Sequence, residues 1–187
     1  MDDEIELILE EAREAMQKSL AYLSEELIKI RAGRATPAML DSVMVDYYGT
    51  PTPLNQTANV NTPDARTITV QPWEKKMIEP IEKAIAYANL GLNPQNNGEQ
   101  IIITVPPLTE ERRRDLVKRA RAEAEHAKVG IRNARKAAND ELKRLQKEGL
   151  SEDRVKVLEQ EIQDMTDKAV KRTDDEVERK EKDIMTI

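Results

Sequence analysis

Arginine and lysine side chains gather in one part of this sequence. From Arg112 to Lys136 ten residues are basic and three, Asp115, Glu123 and Glu125, are acidic. The segment carries +7 within a chain of −6, so the remainder carries −13. Seven of the cations are arginines, and GIRNARKAAND (130–140) places Arg132 and Arg135 one helical turn apart. A guanidinium is planar, permanently charged and forked, which suits two oxygens of one phosphate. A file of such groups binds a polyanion by neutralising phosphates and releasing their counterions. Stacking on single-stranded bases is disfavoured, because the chain has no Phe, 1 Trp and 4 Tyr. Structured RNA or a duplex, recognised by shape, fits better.

Other chemistries find little support. The chain has no cysteine, which excludes disulfides and thiolate metal sites. His126 is the single histidine, with no second imidazole and no obvious nucleophile beside it, so it is expected to be a surface or satisfied histidine. There is no GxxxxGK[ST] loop and no GxGxxG. Paired acids abound, but in so acidic a chain they are weak signs of a site. Trp73, after Pro72, is expected to anchor a core, and Tyr47-Tyr48-Gly49 to end a strand in a turn. Neither enzyme activity nor a cofactor is expected.

The elements that must position the arginines are long helices. From Ile5 to Ile30 the apolar positions are Ile5, Ile8, Ala12, Met16, Leu20, Leu23, Leu27 and Ile30, with steps of three and four, one helix face. A second pattern starts at Thr109 and ends by Gly149, with the seam Val117, Ala120, Ala124, Ala127, Ile131, Ala134, Ala138, Leu142 and Leu145. Its alanines predict close approach by a neighbouring helix. Ser151 can cap a third pattern bearing Val155, Leu158, Ile162, Met165, Ala169, Val177 and Ile184, whose seam weakens after Ala169, so its last turns are expected to fray or to be less buried. None can bury its stripe alone, and three stripes facing inward make a three-helix bundle.

Residues 32 to 106 read differently. VMVDYY (43–48), TITVQ (67–71) and IIITV (101–105) are β-branched or aromatic runs punctuated by Gly49, Pro51, Pro53 and the turn signal Asn97-Gly98. Glu74 to Leu90 reads as one helix, with Pro80 tolerated if the helix starts near Glu79. The fold class is therefore α+β: a long three-helix bundle (1–31 and 107–187) with a small α/β domain (32–106) inserted. The chain crosses between them at 31–37 and 104–108, where Gly33, Thr36, Pro37, Val105, Pro106 and Pro107 suggest a hinge.

Continuing the seam back to position 113 and adding one to 113, 117, 120, 124, 127, 131 and 134 gives Arg114, Lys118, Arg121, Glu125, Lys128, Arg132 and Arg135. One residue is about 100° of helix, so the cations form a stripe beside the buried seam. Arg31 and Arg34 could extend it. The alternative is a solvated face paired with acids of the third helix, such as Glu159, Glu161, Asp164 and Asp167. Two further readings follow from the same residues: a bundle that oligomerises or holds clients, and a hydrolase using clustered carboxylates. No run of about 18 uncharged apolar residues is present to span a membrane, and the acidic amphipathic N-terminus lacks the marks of a leader, so a soluble cytoplasmic protein is expected.

KIRAGRATP (29–37), VDYYGTPTPLNQ (45–56), LGLNP (90–94), VPPLTEERR (105–113) and IRNARKAAND (131–140) together resemble ribosome recycling factor, in family order and across essentially the whole chain. The resemblance implies an L-shaped molecule, the small domain a β/α/β sandwich. It implies a monomer that binds the ribosome between its subunits, mainly through large-subunit rRNA. With elongation factor G and GTP, that factor splits the post-termination ribosome and releases mRNA and tRNA. The rRNA-contacting arginines it implies fall on Arg132 and Arg135, on Arg112 and Arg113, and on Arg31 and Arg34. Lys136-Ala137 departs from the Arg-Asp pair of many members, so Lys136 is not carried over.

Overall fold

A computed structural model describes residues 1–30 and 33–186. In chain order the elements are α1 (Asp2–Lys29), β1 (Met44–Tyr47), β2 (Thr50–Pro53), β3 (Ala58–Asp64), β4 (Thr67–Pro72), α2 (Ile78–Tyr87), β5 (Asn93–Asn96), β6 (Ile101–Thr104), α3 (Glu110–Lys147) and α4 (Glu152–Met185). The fold is α+β. Helices α1, α3 and α4 form one compact unit, and Gly33–Thr109 form the other.

The helical unit follows from its apolar spacing. All eight positions of the first pattern are buried, from Ile5 to Ile30. On α3 the buried file is Leu116, Ala120, Ala124, Ala127, Ile131, Ala134, Ala138, Leu142 and Leu145. Leu116 takes the place expected of Val117, which is half-buried. The α3–α4 connection turns on Gly149 at φ +118, where Leu150 N–H reaches back to the Leu145 carbonyl at 3.0 Å. Ser151 then caps α4, its hydroxyl oxygen accepting from Arg154 N–H at 3.3 Å.

Helix α4 corrects the sequence reading at two places. Met165 and Val177 are only half-buried, and the seam runs instead through Thr166 and Thr173. Each hydroxyl donates to the carbonyl four residues back, Ile162 at 2.8 Å and Ala169 at 3.0 Å, so neither enters the core unpaired. An apolar count passes over threonines used this way. Thr173 fills one place in the seam, and no residue from 174 to 183 is buried, so the last turns of α4 are less buried, as one of the two expectations has it, while remaining helical. The helix continues to Met185, and Ile184 is fully buried.

In the smaller unit β1 and β2 form a hairpin whose two turn residues, Tyr48 and Gly49, have φ of +50 and +84. Positive φ at both positions matches the twist of the flanking strands. A four-stranded antiparallel sheet has the order β3-β4-β6-β5. Ile68 and Val70 on β4 and Ile101 and Ile103 on β6 point to one face and are fully buried, in one core with Ile78, Ile81 and Ile85 of α2. The helix expected over 74–90 is shorter. A 3-10 turn at Lys75–Met77 precedes α2, and Pro80 is its third residue, where no intrahelical N–H bond is lost.

Strands β2, β3 and β5 were not expected. Their sequences, TPTP, ANVNTPD and NPQN, hold one strongly apolar residue between them, and the sheet supplies the burial they lack. Trp73 is likewise not a core anchor: it is 61% exposed, its indole N–H donating to Asn59 Oδ1 at 3.0 Å. It follows the end of β4, whose inward positions are Ile68 and Val70, and continues the ladder only through its backbone N–H, which donates to the Thr57 carbonyl at 3.1 Å.

Gly130, in the middle of α3, has a packing cause. A Cβ there would lie 2.4 Å from the Ser19 hydroxyl of α1 and 3.5 Å from Ser19 Cβ. The glycine costs about 1 kcal/mol of helix propensity relative to alanine and lets α1 come close. Removing the Ser19 hydroxyl should therefore make alanine welcome. In a Ser19→Ala background, Gly130→Ala should raise stability by about 0.5–1 kcal/mol in urea unfolding, and by less in the wild-type background. An equal gain in both would show that Ser19 is not the obstacle.

Candidate nucleic-acid interface

The seam of α3 lies between two flanks that face different helices. One residue before the seam, the chain meets α1: Gly130 lies against Ser19, and the His126 ring lies 5.1 Å from the Tyr22 ring. The Glu123 carboxylate beside Tyr22 is the main reason its phenol pKa is raised. His126 is exposed, and among the described residues no cluster of His, Asp and Glu could hold a metal ion. One residue after the seam, the chain meets α4, and this is the flank that carries the cations.

Three of those cations recur every seven residues, Arg121, Lys128 and Arg135, and each is engaged by α4. Arg121 Nε donates to Glu181 Oε1 at 2.5 Å, with Nη2 at 3.4 Å from Oε2. Lys128 Nζ lies 2.6 Å from Asp174 Oδ1 and 3.6 Å from Glu125 Oε1. Its side chain is only 16% exposed, and its ammonium is held above the ordinary lysine pKa first by the hydrogen bond to Asp174. The bond to Glu181 likewise raises Arg121. Arg135 differs: its Nη1 donates to the neutral amide oxygen of Gln163 at 3.3 Å.

The reading of the whole stripe as open to a polyanion is thus corrected in part toward its alternative, pairing with acids of the third helix. Sequence spacing placed the stripe beside the seam, but α4 shares that flank, and its carboxylates neutralise two of the cations. The acids are Asp174 and Glu181, not the earlier group considered on the same helix. A regular signal was present, since Asp167, Asp174 and Glu181 also recur every seven residues.

The remaining candidates divide as follows. Arg132 and Lys118 are exposed and form no ion pair among the described residues, as is also true of Lys136 beyond the expected set. Arg114 pairs with Glu110 on its own helix at 2.6 Å, both groups exposed, an arrangement of little energetic weight. Arg112 is exposed; Arg113 is half-buried, its Nε enclosed with no hydrogen-bond partner among the described residues. Arg34 is exposed on the smaller unit, and Arg31 lies outside the described residues. Arg132 and Arg135 also line a groove of about 320 Å³ between α3 and α4, with Gln163, Asp167, Lys171 and Asp174. That groove is where open positive charge meets a concave surface.

No helix among the described residues is long and apolar enough to cross a membrane. The family model for ribosome recycling factor matches residues 23–185. The chain is 56% identical to the ribosome-recycling factor of Flavobacterium johnsoniae over 187 residues, covering the whole of both. It is 57% identical to that of Christiangramia forsetii over 185 residues, which covers 99% of this chain and 100% of the relative. Among solved structures it is similar to a solution structure of the ribosome recycling factor, with a TM-score of 0.77, 38% identity and 98% of each chain covered. It is also similar to a T. thermophilus ribosome recycling factor placed with E. coli elongation factor G on the E. coli post-termination complex. There the TM-score is 0.64 and the identity 48%, over 97% of this chain and 99% of that one. A cationic helix edge on a three-helix scaffold, full-length likeness to these relatives and the family match together lead to one assignment: the chain belongs to the ribosome recycling factor family of translation factors.

Proposed function

We propose that this protein binds the post-termination ribosome between its subunits through large-subunit rRNA. With elongation factor G and GTP it separates the subunits, so that mRNA and tRNA leave and a new round of translation can begin. The observation that carries the rRNA part is the open positive charge at Arg132 and Arg135. Arg132 has no acidic partner among the described residues, and Arg135 meets only an amide. A phosphate there displaces no carboxylate. The likeness to a factor seen with elongation factor G on a post-termination complex supports the rest. The nucleotide chemistry belongs to that partner, which accords with a chain that has no phosphate loop. It acts as a cytoplasmic monomer.

The motion we assign to the smaller unit is a swing of one body. Ala35 N–H donates to the Ala65 carbonyl at 2.8 Å, and Val105 N–H to the Arg66 carbonyl at 2.7 Å. Both ends of the inserted chain are thereby tied to the β3–β4 turn, and Ala35 and Val105 are buried in that unit's core. We place the pivot N-terminal to Ala35 and C-terminal to Val105, at Gly33 and at Pro106-Pro107. Thr36 and Pro37 then travel with the small domain.

The decisive experiment is sedimentation of post-termination ribosomes with elongation factor G and GTP, with and without this protein; persistence of intact ribosomes would overturn the proposal. Arg132→Ala and Arg135→Ala should each weaken large-subunit binding about tenfold and lower the salt slope by about 0.7–0.9. Unchanged affinity in both would remove the rRNA part. Replacing Pro106 and Pro107 by glycine should leave binding within about twofold, one quarter or less of a hydrogen-bonded charge contact, and slow splitting. Splitting at the wild-type rate would remove the hinge.

A further inference from the structure

Helices α3 and α4 run antiparallel across a short turn, and their charges are in register. Arg121 faces Glu181, Lys128 faces Asp174, and Arg135 faces Asp167 through Gln163. Each step moves seven residues forward on α3 and seven back on α4. The first two rungs are direct ion pairs. In the third, Gln163 accepts from Arg135 Nη1 at 3.3 Å and donates from Nε2 to Asp167 Oδ1 at 2.8 Å. The amide has one orientation that serves both, because a guanidinium only donates and a carboxylate only accepts.

We propose that Gln163 is a specificity-determining residue. It is a neutral spacer that occupies Asp167 and keeps Arg135 open to phosphate, while Glu181 and Asp174 hold Arg121 and Lys128, so that of the three cations facing α4 only Arg135, beside exposed Arg132, is open to an anion. The proposal rests on the rRNA reading above and assigns charge selectivity within it. For a phosphate to take Arg121 or Lys128, it must displace a carboxylate and leave that negative charge beside a polyanion. At Arg135 it displaces one neutral acceptor. Two guarded rungs and one open rung make a short anion site on a long basic helix, one that suits a particular arrangement of phosphates better than any duplex.

The groove supports the same division. Arg132, Arg135 and Gln163 line it together with Asp167 and Asp174. On the α4 side the lining also includes Lys171 between Asp167 and Asp174, itself paired with Asp175 at 3.1 Å, so acids bound the groove at two points and repel phosphates that approach there. Lys128, with a side chain 16% exposed, is recessed behind this boundary.

The test is a charge change without a shape change. Gln163→Glu is isosteric and converts the third rung into a guarded one. It should weaken large-subunit binding about tenfold and lower the salt slope, although no cation has been removed. Asp174→Asn and Glu181→Gln should each strengthen binding to a random-sequence RNA duplex by at least about threefold and steepen its salt slope, narrowing the preference for ribosomes. Thermal unfolding run alongside checks that each variant folds, and the two acidic variants stand independently if Gln163→Glu does not. If Arg132→Ala and Arg135→Ala weaken ribosome binding but Gln163→Glu stays within twofold of wild type, the spacer role is overturned and the rRNA reading survives. If the acidic variants bind duplex no better than wild type, the guarding of Arg121 and Lys128 is overturned. If neither arginine variant weakens binding, the rRNA reading itself fails and this inference falls with it.

Discussion

The alanine seam of α3 is the constraint on which the helical unit depends. Ala120, Ala124, Ala127, Ala134 and Ala138 bring no bulk, so α1 and α4 approach the same helix closely from two sides. Close approach makes the residue on either side of the seam a contact residue. On the α1 side that selects Gly130, where a single added carbon would strike Ser19. On the α4 side it brings long cationic side chains within reach of carboxylates on the neighbouring helix. A seam of leucines would have set the axes further apart and left the flanks wetter. The small core residues and the partial neutralisation of the basic stripe have one geometric cause.

Sequence periodicity carried the helices well because burial there obeys a single period. The positions from Ile5 to Ile30 needed no adjustment, and α3 needed one, Leu116 for Val117. The failures share a reason: tertiary context supplied what local sequence lacked. Thr166 and Thr173 enter the core because each hydroxyl returns to its own helix. The strands β2, β3 and β5 are nearly devoid of apolar residues, and they persist because β4 and β6 offer them a ladder. Trp73 is misread if only its hydrophobicity is weighed, since it stands exposed just past β4 with its indole N–H on Asn59.

The candidate site was legible to the flank but not to the partner. Adding one residue to the seam located Arg121, Lys128 and Arg135 correctly beside the core. Nothing in α3 alone says which helix covers that flank, so the roles of Glu181, Asp174 and Gln163 could not be read from it. The two heptad series become informative only once the helices are known to run antiparallel in this register. An amide interposed between Arg135 and Asp167 is then a conspicuous departure from the two direct ion pairs, whereas in the linear sequence Gln163 is one polar residue among many.

Net charge and available charge are different quantities in this protein. A chain of −6 with a +7 segment would still attract polyanions indiscriminately if every cation in that segment were free. Internal pairing reduces the attraction without reducing the number of cations, and it does so unevenly along the helix. The cost of recruiting a guarded cation is the desolvation and repulsion of the carboxylate left behind, while an unguarded one costs only a hydrogen bond to an amide or to water. Affinity therefore depends less on how many arginines face a phosphate array than on how few carboxylates must be moved to reach it. Among the three α3 cations that face α4 that number is smallest at Arg135, so the acids of α4 set which of those cations is open as much as the arginines do.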